Sequence, residues 1–363
     1  MKRVLIVDDS GEIHSLIGAA LKKMGYESDS AENGVKAVKM AARKKYDLIL
    51  LDIEMPLLNG FETLERIRAG GASHNSNVIM VTGRSEKENV AKAIALGACD
   101  FVVKPFDTGQ FLHKISRHIN QEVEQEWKKL KPDQQAVLNI TLTTLDKAFN
   151  AVTENRPLPY EDFLDMSEKL VAIIENGDIK GVLDAVKDHD SYTFVHSLRV
   201  GIFLSMFMRK FGGFNPDDVK TLTAGGVIHD VGKAKTPLKI LNKPGGFEPE
   251  EWREMKNHVA YTMSILEKTP GIPAPVVEIA WCHHEKLDGT GYPRGLKGEE
   301  IGMLARMSAI ADVYVALTDK RVYKPGFPPE KALEMMRNPG HLDQGMVKEF
   351  AGIIGELYGM KIP

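Results

Sequence analysis

The stretch Arg3-Val4-Leu5-Ile6-Val7-Asp8-Asp9 is a short apolar run closed abruptly by two carboxylates. The pattern returns at Leu48-Ile49-Leu50-Leu51-Asp52, and Glu27–Ala31, Val78–Thr82 and Asp100–Val103 complete a set of five predicted strands. Between them, segments such as Ile13–Met24, Val35–Ala42 and Val90–Leu96 carry apolar residues at spacings of three and four, the helical period. Strict alternation of strand and helix specifies an α/β doubly wound, five-stranded parallel sheet over residues 1–120, covered by helices on both faces and joined by right-handed crossovers.

Past Pro105 the helical period takes over. Phe111–Trp127 and Val137–Val152 read as long helices, interrupted at Lys131-Pro132-Asp133, where the proline forces a break. A second break falls at Asn155–Pro159. Residues 121–160 therefore read as a helical linker, and residues 161–363, which hold no convincing strand, as an all-α domain. A length of 363 residues suits two or three compact units. Forty-seven Lys and Arg against 50 Asp and Glu, a formal charge of −3, exclude a basic footprint covering a whole domain. No helix-turn-helix with a basic recognition helix follows residue 120, so DNA is not an expected partner. Cys99 and Cys282 are too few and too distant for a disulfide framework, and both read as buried thiols in a reducing compartment. Gly70-Gly71, Gly212-Gly213 and Gly225-Gly226 lack phosphate-loop context and read as turns or close helix packing. No stretch approaches the roughly 18 to 20 apolar residues of a membrane span. A cytoplasmic location is expected.

Asp8 and Asp9 end the first predicted strand, Asp52 the third and Thr82 the fourth, and Lys104 follows the fifth. Ligands of an open parallel sheet bind beyond the carboxyl ends of its strands, so these five residues should converge. Asp8 and Asp9 can offer oxygen ligands to a hard cation such as Mg²⁺, Lys104 a mobile point charge and Thr82 a hydroxyl for phosphoryl oxygens. Asp52 is then the nucleophile that forms an acyl phosphate. Taken singly, a carboxylate at a strand end is more often a helix cap. Together with Asp52-Ile53-Glu54-Met55-Pro56, Gly60 and the Lys104-Pro105 step, they resemble the response-regulator receiver family. That resemblance implies a flavodoxin-like receiver fold, Asp52 as phosphoacceptor, Mg²⁺ held by Asp9 with Asp8, Thr82 and Phe101 as a switch pair, and a cognate histidine kinase as partner.

A second constellation occupies the helical half. His196 sits in Tyr192-Thr193-Phe194-Val195-His196-Ser197-Leu198-Arg199-Val200, and His229-Asp230 precedes Val231-Gly232-Lys233. His258 comes 29 residues after His229, His283-His284 another 25 later, and Asp312 28 beyond His284. Such intervals fit ligands carried by successive helices and aimed into a bundle core. Imidazole and carboxylate suit Fe, Mn or Zn. Five histidines and two aspartates exceed what one octahedral ion needs once positions for water and substrate are kept, so two metals are the economical reading. A lone helical histidine is more often a satisfied core or surface residue; the grouping is what changes the weighing.

His229-Asp230 with Lys233, His283-His284-Glu285 and the loop Asp288-Gly289-Thr290-Gly291-Tyr292-Pro293 resemble the HD-GYP subgroup of HD phosphohydrolases, over about residues 165–355. The resemblance implies a phosphodiesterase that hydrolyses cyclic di-GMP to pGpG, GMP or both, with His196, His229, Asp230, His258, His283, His284 and Asp312 as metal ligands and Asp230 bridging the ions. It implies that Lys233 contacts the scissile phosphate, that Gly291 and Tyr292 line the nucleotide pocket, and that Arg321 and Lys324 hold phosphate. Relatives with a third metal carry a glutamate one turn before the first histidine. That position is Tyr192 here, so two transition ions are expected, Fe or Mn favoured and Zn the alternative. Three readings stay open: a phosphorylation-controlled cyclic di-GMP phosphodiesterase, a hydrolase preferring pGpG or another cyclic dinucleotide, and a low-activity sensor or scaffold. The length and apolar stripes of the linker helices also suggest a homodimer.

Overall fold

The computed structural model describes residues 2–83, 87–106, 108–189, 191–241, 243, 245–320, 326–337 and 340–361. The chain divides into two compact units, Met1–Glu122 with Pro237–Gly245, and Val123–Thr236 with Gly246–Pro363.

The first unit alternates β1 (Arg3–Val7), α1 (Gly11–Lys23), β2 (Glu27–Ala31), α2 (Gly34–Arg43), β3 (Leu48–Asp52), α3 (Gly60–Arg68), β4 (Asn77–Thr82), α4 (Lys87–Ala95), β5 (Asp100–Val103) and α5 (Thr108–Ile119). All strand pairs are parallel, in the order β2-β1-β3-β4-β5. Side chains of successive strand residues point to opposite faces, and the core divides accordingly. Leu5, Val7, Ile49, Leu51, Val78 and Met80 pack with Ala37, Ala41, Phe61, Leu64 and Ala93 of α2–α4, whereas Val4, Ile6, Leu48, Leu50, Ile79 and Val81 pack with Ile17, Leu21, Phe111 and Ile115 of α1 and α5. The expected doubly wound sheet is thus present. Register sets Asp52 beside Val81 and Thr82 beside Val103, so the chemistry-bearing residues share the carboxyl edge. Asn59 caps α3 through a reciprocal box with Glu62.

The helical series continues with α6 (Gln121–Glu126), α7 (Pro132–Thr153), α8 (Tyr160–Glu175), α9 (Ile179–Ala185), α10 (Tyr192–Phe211), α11 (Pro216–Ile228), α12 (Leu238–Leu241), α13 (Pro249–Leu266), α14 (Ala274–Cys282), α15 (Met303–Thr318), α16 (Pro329–Met336) and α17 (Gln344–Tyr358). The single helix expected over 111–127 is instead two, which meet at buried Asn120, whose backbone and side-chain amides both donate to the Ser116 carbonyl. Pro132 opens α7, where a missing N–H costs nothing. Residues 121–160, read from sequence as a linker, contribute Trp127, Val137, Leu138, Ala148 and Val152 to the core of the helical unit. Phe203, Phe207, Tyr314 and Phe350 meet edge to face at its centre.

Small residues let α10, α11 and α14 approach. A Cβ on Gly226 of α11 would lie 3.2 Å from the Gly201 Cα of α10, and one on Gly225 would lie 3.1 Å from Ile279 of α14, so this pair serves close packing. Gly70, Gly71, Gly212 and Gly213 have positive φ in the segments that follow α3 and α10. Cys282 is buried as expected, but Cys99, just before β5, is only partly so. Among the described residues no helix is long and apolar enough to cross a membrane.

Candidate functional site

At the carboxyl edge of the sheet, Asp8 and Asp52 are buried and Asp9 is exposed, with carboxylate oxygens of all three within 4.8 Å of one another. Lys104 Nζ donates to Asp8 Oδ2 at 2.6 Å and to Asp52 Oδ2 at 2.9 Å. Burial pushes the Asp52 carboxyl above its ordinary range, with Lys104 opposing. Thr82 is buried at the end of β4, and its carbonyl accepts the Lys104 amide at 2.6 Å. Phe101 is partly buried beside Met80. Gly60 is required here by proximity, since a Cβ would fall 2.3 Å from the Asp52 carbonyl oxygen.

In the helical unit, α10 supplies His196, His229-Asp230 follows α11, α13 supplies His258, His283-His284 follows α14, and α15 supplies Asp312. These form two groups, Asp230/His258/His283/His284 and His196/His229/Asp230/Asp312, each with donor atoms within 4.8 Å of one another. Asp230 belongs to both. Its Oδ1 faces His258 Nε2 at 3.1 Å and His283 Nε2 at 3.7 Å, while its Oδ2 faces His229 Nε2 at 3.2 Å and His196 Nε2 at 3.5 Å. Asp312 lies 3.0 Å from His196 Nε2 and 3.7 Å from His284 Nδ1.

The orientation of the imidazoles is set from behind. Nδ1 of His229 meets the Gly226 carbonyl at 2.7 Å, Nδ1 of His258 the Met255 carbonyl at 2.6 Å, and Nδ1 of His283 the Ala280 carbonyl at 3.0 Å. A carbonyl only accepts, so Nδ1 carries the proton and each Nε2 keeps its lone pair for the cavity. Nε2 of His229, His258 and His283 and Oδ1 of Asp230 are buried and make no hydrogen bond among the described residues. An unsatisfied buried polar atom costs roughly 1–3 kcal/mol. Several converging on one space fit divalent cations, which would satisfy them together.

The field agrees. Burial disfavours charge on Asp230 and Asp312, but Lys233 with His229 and His258 around the first, and His196 with His229 around the second, hold both carboxyls well below their usual range. Burial drives His283 well below neutral, the neighbouring imidazoles adding to it, and pushes His284 down to about 3 with Asp312 opposing. Neutral imidazole is the ligating form.

Lys233 occupies a 3-10 turn, Val231–Lys235, and its ammonium bonds Asp230 Oδ2. That turn rests directly on α13. A Cβ on Gly232 would fall 2.2 Å from the His258 carbonyl oxygen, and the Gly232 amide donates to Thr262 Oγ1 at 3.0 Å. Tyr292 lays its ring 4.6 Å from that of His284, and its amide donates to the His284 carbonyl at 3.2 Å. Gly291 folds back so tightly that a Cβ would meet the Lys286 amide nitrogen at 2.4 Å. Arg321 and Lys324 lie outside the described residues, as does the side chain of Tyr192.

The supporting roles of three residues escaped sequence reasoning. Asp319 accepts from His196 Nδ1 at 3.1 Å and binds Arg199 through its other oxygen. Its seven-residue offset from Asp312, two helical turns, was the available signal. Glu285 is buried and accepts the Arg294 amide at 2.7 Å and the Leu296 amide at 3.0 Å, tying down the loop that carries Tyr292. Gly232 is the third.

A strand-edge acid cluster with its lysine, joined to a helical unit holding paired His/Asp groups, defines a receiver coupled to an HD-type hydrolase. The profile for the response regulator receiver domain matches residues 4–116, and that for the HD domain matches residues 184–344. A probable cyclic di-GMP phosphodiesterase of Vibrio cholerae serotype O1 is 30% identical over 363 residues, covering 96% of this chain and 76% of the relative. A cyclic di-GMP phosphodiesterase of Thermotoga maritima is 31% identical over 366 residues, covering 99% and 88%. A 3'3'-cGAMP-specific phosphodiesterase of Vibrio cholerae is 39% identical over 150 residues, covering 41% of this chain and 32% of that one. The chain belongs to the cyclic di-GMP phosphodiesterase family, with an N-terminal receiver and a C-terminal HD domain.

Proposed function

We propose that this enzyme hydrolyses cyclic di-GMP to pGpG, GMP or both, under the control of phosphorylation at Asp52. The observation that carries the hydrolytic reading is the double donor set sharing Asp230, one carboxylate oxygen turned to each group. His258, His283, His284 and Asp230 would hold one ion, and His196, His229, Asp312 and Asp230 the other. Borderline imidazole donors mixed with carboxylates favour Fe or Mn, with Zn the alternative. Two such ions supply Lewis acidity and an activated water for in-line attack on a phosphodiester.

The chain's own groups do the rest. Lys233, 12% exposed at its side chain and paired to Asp230, is placed to meet negative charge arriving at the centre. A cation whose attraction grows as charge develops on phosphate raises turnover rather than mere affinity. Gly291 lets the loop close on Glu285 and Lys286, which delivers Tyr292 over His284. Asp288 is a poor donor for the leaving oxygen, because hydrogen bonds from the Thr290 amide and hydroxyl lower its pKa. Arg321 and Lys324 keep the phosphate-holding role that the family resemblance gives them.

In the receiver, Asp8 and Asp9 would hold Mg²⁺ and Asp52 would accept a phosphoryl group from a histidine kinase, with Lys104 and Thr82 on the phosphoryl oxygens. Phe101 would move with Thr82 on phosphorylation. A second reading, a hybrid cyclic dinucleotide as substrate, draws on the cGAMP-specific relative. The test is product chromatography after incubating metal-replete protein with cyclic di-GMP, pGpG and 3'3'-cGAMP. Cyclic di-GMP should be consumed fastest. The reading is overturned by protein that carries two ions per chain and releases no product.

A further inference from the structure

Aromatic residues continue outward from the metal centre in a row that the chemistry above leaves without a task. The Tyr292 ring, tilted by 31° to that of His284, meets the Trp252 indole edge to face at 6.2 Å, and Phe247 stacks on the indole at 5.7 Å, 20° from parallel. Lys256 holds its ammonium 5.9 Å from the centre of Trp252 and 5.7 Å from that of Tyr292. Trp252 is 43% exposed even so. An indole left this open beside a polar centre, backed by a second ring, is a ready surface for a flat π-system.

Trp252, Lys256 and His258 are all on α13. Six residues of helix place Trp252 about 9 Å along the axis from His258, a separation that a nucleotide spans between phosphate and base. Lys256, one turn from Trp252, offers donors and no acceptor. Guanine presents two acceptors, O6 and N7, where adenine presents an acceptor and a donor, so an ammonium at that edge favours guanine.

Resting on the hydrolase reading above, we propose that Trp252, backed by Phe247, is the stacking platform for one purine of the cyclic dinucleotide, and that Lys256 reads its edge and confers preference for guanine. Trp252 is a binding residue. It takes no part in the chemical step.

The experiment uses the full-length, metal-replete protein. Wild type, Trp252→Ala, Trp252→Phe and Lys256→Met are compared for metal content, for steady-state hydrolysis of cyclic di-GMP and cyclic di-AMP, and for equilibrium dialysis with a non-hydrolysable phosphorothioate analogue of each. Base–aromatic stacking predicts that Trp252→Ala weakens binding and raises KM about five- to a hundredfold. Its kcat should stay within threefold and its metal content should match wild type, with Trp252→Phe recovering most of the loss. Lys256→Met should reduce the preference for cyclic di-GMP over cyclic di-AMP at least fivefold. Wild-type affinity and KM in Trp252→Ala overturn the platform and leave the hydrolase reading intact. Trp252-dependent binding without product release upholds the platform and overturns the hydrolase reading, and absence of both overturns both. Should Trp252→Ala fail to fold, Trp252→Leu against Trp252→Phe makes the same comparison, and equal affinities refute stacking.

Discussion

Replacing Asp319 by asparagine isolates the support behind one half of the metal centre. Asp319 is buried and serves two donors, His196 Nδ1 at 3.1 Å through Oδ2 and Arg199 through Oδ1. Asparagine keeps the volume but has one acceptor oxygen and turns an NH₂ toward the other donor. Either His196 loses the group that fixes its tautomer, or Arg199, 13% exposed at its side chain, loses its counter-charge. Loss of an outer partner of a metal-ligating histidine weakens metal binding roughly ten- to a hundredfold, about 1.4–2.7 kcal/mol. Arg199 still donates to Thr318 Oγ1 at 2.9 Å, so its destabilisation is partly relieved. A single charged hydrogen bond, roughly 1.5–3 kcal/mol, sets the scale for the fold. Competition titration with a graded chelator, read with metal analysis of the full-length protein, measures both sites. An ion at the proposed His196, His229 and Asp312 site should bind at least tenfold more weakly, and one at the proposed His258, His283 and His284 site should change less than threefold. Folded Asp319→Asn protein with both affinities within twofold of wild type would refute the reasoning.

Further outcomes are expected elsewhere. Gly232→Ala puts a Cβ 2.2 Å from the His258 carbonyl oxygen, and the backbone shift should cost roughly 1–3 kcal/mol, seen as a lower Tm with reduced metal content. The double variant His229→Ala/Asp230→Ala should lose metal and hydrolysis together, checked by elemental analysis and product chromatography. Asp52→Asn should abolish labelling by acetyl phosphate while leaving basal hydrolysis measurable; persistent labelling would move the phosphoacceptor elsewhere. In the receiver, burial works against the His118 imidazolium, but its bond to Asp100 at 3.0 Å, together with the neighbouring Cys99 sulfur, outweighs that and holds the pKa up at about 9. A raised folded-state pKa contributes stability that is fully present below the unfolded value near 6.5 and lost as pH rises through about 9. An NMR titration should find His118 protonated at pH 7.5 in wild type and shifted downward in Asp100→Asn. An unperturbed midpoint in wild type would contradict the pairing.

The sheet was legible because strand and helix periods differ sharply and because Asp8, Asp52, Thr82 and Lys104 sit at strand ends, where topology alone makes them neighbours. The seven metal-donor candidates were legible as residue types rare in helix interiors, grouped at helix-length intervals. What stayed hidden depends on partners remote in sequence. Asp319 matters because it reaches His196 across 123 positions, and Glu285 because amides nine and eleven residues later turn back to it. Gly232 stood in the sequence only as a neighbour of Lys233, and the approach of α13 shows that its bare Cα is a contact surface. The junction of α5 and α6 at Asn120 left no mark in the apolar pattern around it.

The manner in which the imidazoles are fixed also decides how portable the centre is. His229, His258 and His283 are each keyed by a carbonyl three residues earlier in the same segment. Those segments, transplanted onto another helical scaffold, would bring the correct tautomer with them. His196 would not travel so easily, since its key is cut on a distant piece of chain. A designer borrowing this centre can lift those three histidines as cassettes but must rebuild the support of His196 in place.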